Sequence, residues 1–199
     1  MSVQSMLPPI VRPARQAIHH AIHAKPPKPV IALMAQTAPR LRDAELRDVP
    51  AMTALINHYA DLGEMLPRTE EAVRERLAQF IVVEVGAQVV ACGALHHWDE
   101  QSAEIRSLAV HEAYAGQGLG RLMVERLVAM GVERGYEYAF ALTLKIIFFE
   151  KVGFHVVPKH VLPQKIWNDC VICPFLYNCH ETAMMQRLQS KEHRTQTED

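Results

Sequence analysis

The chain has 199 residues, of which 49% are apolar and 22% charged, and its formal net charge is −1. That length supports one domain with a sizeable core, and the near-neutral balance gives no basis for binding along a nucleic-acid backbone. No apolar run approaches the ~18 residues of a membrane-spanning helix, so neither nucleic acid nor membrane is expected as a partner.

The charge is unevenly placed. No acidic residue precedes Asp43, although Arg12, Arg15, Lys25, Lys28, Arg40 and Arg42 do. Residues 1–29 also contain six prolines and three histidines, which argues against a packed helix. Such an acid-free stretch reads as a disordered basic arm, with an organelle-targeting leader as the alternative to a plain cytoplasmic chain. The polar stretch 189–199 reads as a fraying tail, leaving 30–188 as a single working domain.

Within that domain Arg40–Asp43 ends a short strand. The stretch Leu46–Gly63 carries Val49, Met52, Leu55, Ile56 and Tyr59 at helical spacing, with Asp48 and Pro50 as start signals. Thr69 opens a second helix. "FIVVEV" and "VVACGALHHW" read as strands joined by a turn at Gly86-Ala87-Gln88, and "AEIRSLAV" as a third. "LGRLMVERLVAMGVERG" is an amphipathic helix with Leu119, Leu122, Met123, Val124, Leu127 and Met130 on its apolar side. "YEYAFALT" is a strand, "KIIFFEKVG" a short helix and "FHVVP" a further strand, while Met184, Met185 and Leu188 suggest a small terminal helix. Several adjacent strands followed by strand–helix units favour a mixed α/β sheet over a doubly wound parallel one.

Two features carry chemistry. The first is Gly116-Gln117-Gly118-Leu119-Gly120-Arg121, a glycine-rich turn opening a helix. Helix N-termini present unpaired N–H groups and a positive dipole end, and glycines let an anion approach that backbone. No Gly-Lys-Ser/Thr follows, so this is not a P-loop, and the surroundings of Glu137 do not fit a dinucleotide fingerprint. A plain helix-start turn stays open. The second feature is the strand before it. Strict alternation puts Glu104, Arg106, Leu108 and Val110 on one face and strands Ile105 on the other. A bulge near Arg106–Leu108 shifts the parity, so that Ile105 and Leu108 both turn inward while Glu104 and Ser107 face one cleft.

Through "EIRSLAVHEAYAGQGLGRLMVERLV", "YAFALT" and "FFEKVGF" the chain resembles the GNAT N-acetyltransferase superfamily over about residues 40–157. The resemblance implies the GNAT fold: a central mixed, mostly antiparallel sheet with a V-shaped splay between strands 4 and 5 and flanking helices. It implies acetyl-coenzyme A as cosubstrate, with the pyrophosphate on Gly116, Gln117, Gly118, Leu119, Gly120 and Arg121. The pantetheine arm then lies along Leu108, Ala109 and Val110. The family signature begins with glutamine or arginine where this chain has Ala115, which removes a side-chain contact and no backbone donor. Phe149 stands where many members carry a proton-donating tyrosine, so that role does not transfer.

"LPRT" at 66–69, "AEIRSLAVH" at 103–111 and "LPQKIWNDCVICPFLYNCHETAM" at 162–184 resemble the short bacterial-type N-acetylglutamate synthases of arginine biosynthesis. That likeness implies acetylation of the α-amine of L-glutamate by direct attack in a ternary complex. Glu104 would accept the ammonium proton, Ser107 and Thr143 would assist by hydrogen bonding, and a backbone N–H near Leu108 or Ala109 would polarise the thioester carbonyl. Arg68, with Arg106 and Lys165 as further candidates, would hold substrate carboxylates. Solvated or structural roles remain open for each of these side chains. The kinase-like domain of longer synthases is not seen, and a homodimer is left open. The functional alternatives are transfer to another amino acid, small amine or protein N-terminus, and a non-catalytic coenzyme A-binding module.

The chain has four cysteines. Cys92 lies in a valine-rich strand and reads as buried. Cys170, Cys173 and Cys179 fall close together, and the first pair has the spacing of half a structural zinc site. A fourth ligand is not evident, so zinc competes with reduced packing cysteines and with disulfide or redox chemistry. The aromatic residues around them suggest that this segment packs across the acceptor cleft or on a partner subunit.

Overall fold

The computed structural model describes residues 38–162, 170, 173 and 175–188. The arm at 1–29, the tail at 189–199, Lys165 and Trp167 lie outside the described residues.

Seven strands form one sheet: β1 (Arg40–Asp43), β2 (Phe80–Val85), β3 (Gln88–His97), β4 (Ser102–Val110), β5 (Tyr138–Thr143), β6 (His155–Val156) and β7 (Thr182–Arg187). Their spatial order is β1-β2-β3-β4-β5-β7-β6. Every pairing is antiparallel except β4 with β5. The helices are α1 (Val49–Asp61), α2 (Glu70–Glu75), α3 (Leu119–Glu133) and α4 (Ile146–Lys151). The mixed α/β architecture expected from the sequence is therefore the one observed.

Each sheet face carries its own apolar cluster. On one, Leu119, Met123, Val124, Leu127 and Met130 of α3 pack on Ile81, Val83, Ala91, Leu95, Ile105 and Ala139. On the other, Val49, Met52, Leu55 and Ile56 of α1, with Val73 of α2, cover Val82, Cys92, Ala94 and Ala109. With both faces covered, the central strands are apolar at nearly every position. Leu122, expected on the apolar side of α3, is instead 37% exposed, because the stripe facing the sheet is narrower than that reading assumed.

Thr69 caps α2 as expected, its side chain accepting the N–H of Ala72 at 3.1 Å. Asp48 does something different from the expected helix cap. Its carboxylate receives two hydrogen bonds from Arg42, at 2.6 and 2.9 Å, while Arg42 Nε reaches Glu84 at 2.7 Å. One guanidinium thus ties β1, β2 and the approach to α1 together. That pairing holds the buried Asp48 carboxyl below the usual carboxylate range.

The terminal segment departs from expectation. Thr182–Arg187 is a strand inserted between β5 and β6, not a small helix. Met184 and Leu188 join the α3-side cluster, while Ala183 and Met185 pack with Trp98 and Phe140 on the opposite face. The segment has a period of two with both faces buried. Its run of apolar residues therefore shows no alternation that would separate a strand from a helix.

Candidate active site

The site begins with an irregularity in β4. Cys92 pairs with Ala109, but Ala94 pairs with Arg106, so Gly93 stands opposite the two residues Ser107 and Leu108. Ser107 has φ +52°, the sole positive value for a non-glycine among the described residues. This is the bulge expected from the stranded Ile105, and Ile105 and Leu108 both contribute to the α3-side cluster. A Cβ on Gly93 would lie 3.1 Å from Leu108 Cδ1 and 3.2 Å from Met123 Cε, so glycine there makes room for the inward leucine. The carbonyl of Ser107 accepts the Cys92 thiol at 3.7 Å. Complete burial pushes that thiol up to about 12, which keeps it protonated and able to donate.

Past the bulge the sheet opens. Parallel pairing of β4 with β5 runs only from Ser102↔Tyr138 to Glu104↔Phe140. Both strands continue, β4 to Val110 and β5 to Thr143, without a shared rung. This is the expected V-shaped splay, and it leaves the inner edges of both strands open to an extended ligand.

At the wide end lies the start of α3. Gly116 and Gly118 have φ of +76° and +84°, and a Cβ on either would enter open space with no heavy atom within 4 Å. The first bond of the helix runs from the Leu122 N–H to the Gly118 carbonyl at 3.0 Å. The N–H groups of Leu119, Gly120 and Arg121 precede it and face outward along the helix axis. A helix start of this kind is suited to holding an anion. Gln117 turns its own side chain back to the Ala113 carbonyl at 3.2 Å. Arg121 sits on the rim, donating to the Lys151 carbonyl at 3.0 Å with Glu125 at 3.7 Å.

A cavity of about 920 Å³ runs from this cradle past Leu108, Ala109 and Val110 to Glu104 and Arg68. Tyr59 of α1 borders it and donates its hydroxyl to the Val110 carbonyl. Glu104 is only 6% exposed, with its Oε2 3.4 Å from Nε of Arg106. Ser107 lines the same space. Thr143, buried at the end of β5, accepts the Lys145 N–H at 2.9 Å and leaves its hydroxyl proton available toward the cavity. The Arg68 backbone is clamped to α1 by a reciprocal pair of 2.9 Å bonds with the Asn57 amide. That clamp fixes the backbone from which the half-buried Arg68 side chain lines the cavity. Arg106 also lines the cavity and is not exposed on an opposite face. Lys165 lies outside the described residues.

Two charged groups here were not anticipated. Lys159 and Glu181 both border the acceptor end. Glu181 directly precedes β7, whose Thr182 pairs with Thr143. Burial pushes the Glu181 carboxyl above its ordinary value, opposed by the nearby charges of Lys159 and Arg106. Neither residue carries a local sequence signature, and the helical reading of 184–188 hid the strand that delivers Glu181.

Cys170, Cys173, Tyr177 and Cys179 of the cysteine-rich segment border the same cavity, with Tyr177 itself 99% exposed. Among the described residues, no three His, Cys, Asp or Glu side chains converge to hold a metal ion. The structural zinc reading therefore gains no support.

A splayed sheet, a bulge on its fourth strand and a helix-start anion cradle in one cavity define a coenzyme A-dependent acyltransferase site. Residues 76–156 match the acetyltransferase (GNAT) domain family. The chain is 40% identical over 148 residues to an uncharacterized N-acetyltransferase of Chlorobaculum tepidum, covering 74% of this chain and 96% of that protein. It is 35% identical over 135 residues to an amino-acid acetyltransferase of Mycobacterium tuberculosis, covering 66% and 76% respectively. Its fold matches that of Neisseria gonorrhoeae N-acetylglutamate synthase, solved with coenzyme A and N-acetyl-glutamate, with a TM-score of 0.70 and 24% identity. That likeness covers 76% of this chain but only 35% of the synthase, so the chain spans about a third of that protein's length. The chain belongs to the GNAT acetyltransferase family and is an acetyl-coenzyme A-dependent N-acetyltransferase.

Proposed function

We propose that the protein transfers the acetyl group of acetyl-coenzyme A to the α-amine of L-glutamate, by direct attack with both substrates bound. The observation that carries this reading is the continuity of one cavity, with the glycine cradle at one end and Arg68, Glu104 and Arg106 at the other. Among the charges at the acceptor end, Arg68, Arg106 and Lys159 beside Glu104 and Glu181, the planar guanidinium of Arg68 can bind one carboxylate of a dicarboxylic substrate with two parallel bonds.

The acceptor amine arrives protonated and must lose a proton before it can attack. Glu104 accepts that proton, directly or through one water, and Arg106 at 3.4 Å compensates its charge when ionised. The bulge leaves the backbone at Ser107–Leu108 without a register partner on β3. An N–H there can stabilise negative charge developing on the thioester oxygen. Thr143 supplies a hydroxyl near the departing sulfur, a role for which Phe149 has no group to offer. The product's place in arginine biosynthesis is part of the same proposal.

The test is a screen of free coenzyme A release over a panel of amines, with each product identified by mass. Glutamate should exceed aspartate, glutamine and basic amines. A higher kcat/KM on another amine would reassign the acceptor, and tight coenzyme A binding without turnover on any amine would reduce the chain to a binding module.

A further inference from the structure

We propose that Glu64 and Lys145 are positioning residues for acetyl transfer: their ion pair braces the two arms of the splayed sheet and sets the acceptor side of the cavity against the bound thioester. The need for a brace follows from the sheet itself. Beyond Glu104↔Phe140, β4 and β5 share no rung, so no ladder bond between them fixes the width of the V. Ser107–Val110 on one arm and Leu142–Thr143 on the other are nevertheless walls of one cavity.

The pair spans that gap from fixed points on either side. On the β4 side, α1 packs over Ala109, and Tyr59 of α1 donates its hydroxyl to the Val110 carbonyl. The helix then ends in a two-bond turn. The Gly63 N–H donates to the Ala60 carbonyl and the Glu64 N–H to the Tyr59 carbonyl, each at 2.9 Å. Glu64 is thereby presented by the helix that is bonded to β4. On the β5 side, the Thr143 hydroxyl oxygen accepts the Lys145 N–H at 2.9 Å, and the Lys145 carbonyl accepts the N–H groups of Phe148 and Phe149 in α4. Between these anchors Lys145 Nζ donates to Glu64 Oε1 at 2.8 Å, and both residues border the cavity. The contacts Val110–Tyr59–Glu64–Lys145–Thr143 thus cross from arm to arm through side chains where the ladder does not.

What the brace positions is the substrate-facing part of α1 and its following turn. The Asn57 amide of α1 holds the Arg68 backbone, and Met65, Leu66 and Arg68 line the cavity. α1 therefore carries Glu64 and Arg68 together, and Lys145 sets how that unit stands relative to Thr143. Alignment of the amine with the thioester depends on this spacing. The glycine cradle opens α3 and takes no part in the brace. The inference rests on acetyl transfer to an amine, and not on glutamate being that amine.

The experiment compares Glu64→Gln, Lys145→Gln, the two changes combined, and the reversed pair Glu64→Lys with Lys145→Glu. Amine kcat/KM is measured with the best acceptor of the panel, coenzyme A affinity by equilibrium titration, and backbone hydrogen exchange across the segment between α1 and α2. Lys145 is 59% exposed and Glu64 31%, so each single change should lower amine kcat/KM about two- to fivefold, the range that an exposed pair supplies. The combined neutral variant should fall no further than either single one, because each removes the same interaction. The reversed pair should regain most of the loss, and coenzyme A affinity should hold throughout. If the reversed pair fails to fold, Lys145→Arg, which keeps the charge, should retain parental turnover while Lys145→Gln does not. Additive losses, no recovery in the reversed pair, unchanged kcat/KM in the single variants, or an equal fall in coenzyme A affinity would each overturn the proposal. Should the parent turn over no amine, the acceptor reading fails and exchange decides the brace. Faster exchange between α1 and α2 in both single variants, restored in the reversed pair, upholds it, and unchanged exchange refutes it.

Discussion

Replacing Gly118 by alanine adds one methyl group at a residue whose φ is +84°, with no heavy atom within 4 Å of the new carbon. No packing clash arises, so the folded protein loses only the cost of forcing an L-residue into the left-handed region, about 1–2 kcal/mol. The methyl does, however, enter the open space of the cavity-lining turn that opens α3, where a bound anion would lie. Losing one charge-assisted hydrogen bond there, worth about 1.5–3 kcal/mol, weakens coenzyme A binding at least about tenfold. Gly135 supplies a matched control near the far end of the same helix. Its φ is +80°, a Cβ there also meets nothing within 4 Å, and it lies outside the cavity. Urea denaturation should therefore show similar destabilisation for Gly118→Ala and Gly135→Ala, while calorimetric titration with coenzyme A separates them. If the two variants bind the cosubstrate within about twofold of each other, the helix start is not the anion site and the cradle argument fails.

Glu104→Gln should lower kcat by about 100-fold or more, the scale of a lost general base, while coenzyme A affinity in equilibrium titration stays at the parent value; equal loss of both would remove Glu104 from the proton step. Arg68→Ala should raise the KM for the acceptor about tenfold or more through loss of a paired carboxylate contact, with the KM for acetyl-coenzyme A unchanged in the same initial-rate assay. Asp48 has a folded-state value below its unfolded one, so its pairing with Arg42 stabilises the protein above the unfolded carboxylate value near 4 and loses that contribution as the pH falls through the folded value. Asp48→Asn should cost about 3–5 kcal/mol at neutral pH, because it leaves a buried guanidinium short of a charge partner, and should flatten the acid limb of the stability curve measured by denaturant melts from pH 7 downward.

How much the sequence disclosed depended on whether each feature was local. The bulge was legible because a single apolar residue, Ile105, sat on the wrong parity of an otherwise regular strand. The cradle was legible because three glycines and a helix lie side by side in the chain. Both conclusions needed only neighbouring residues. Residues 182–188 failed that test, because Ala183 and Met184 are buried on opposite faces and Met185 partly so, which gives no periodic contrast. Glu181 and Lys159 were missed for a related reason. They come into one cavity only after β7 has inserted beside β5, and nothing next to them in sequence announces it.

The order β5-β7-β6 also bears on how the chain is made. β5 and β6 are synthesised before the strand that fills the gap between them. Until Thr182–Arg187 emerges, the hydrogen-bonding edge of β5 stays bare and the place of the buried Met184 is empty. A nascent or truncated chain ending before this strand therefore exposes an apolar sheet edge, the feature most prone to pair with other chains. The half of the sheet next to Glu181 and Thr143 therefore cannot close before the last strand has been made.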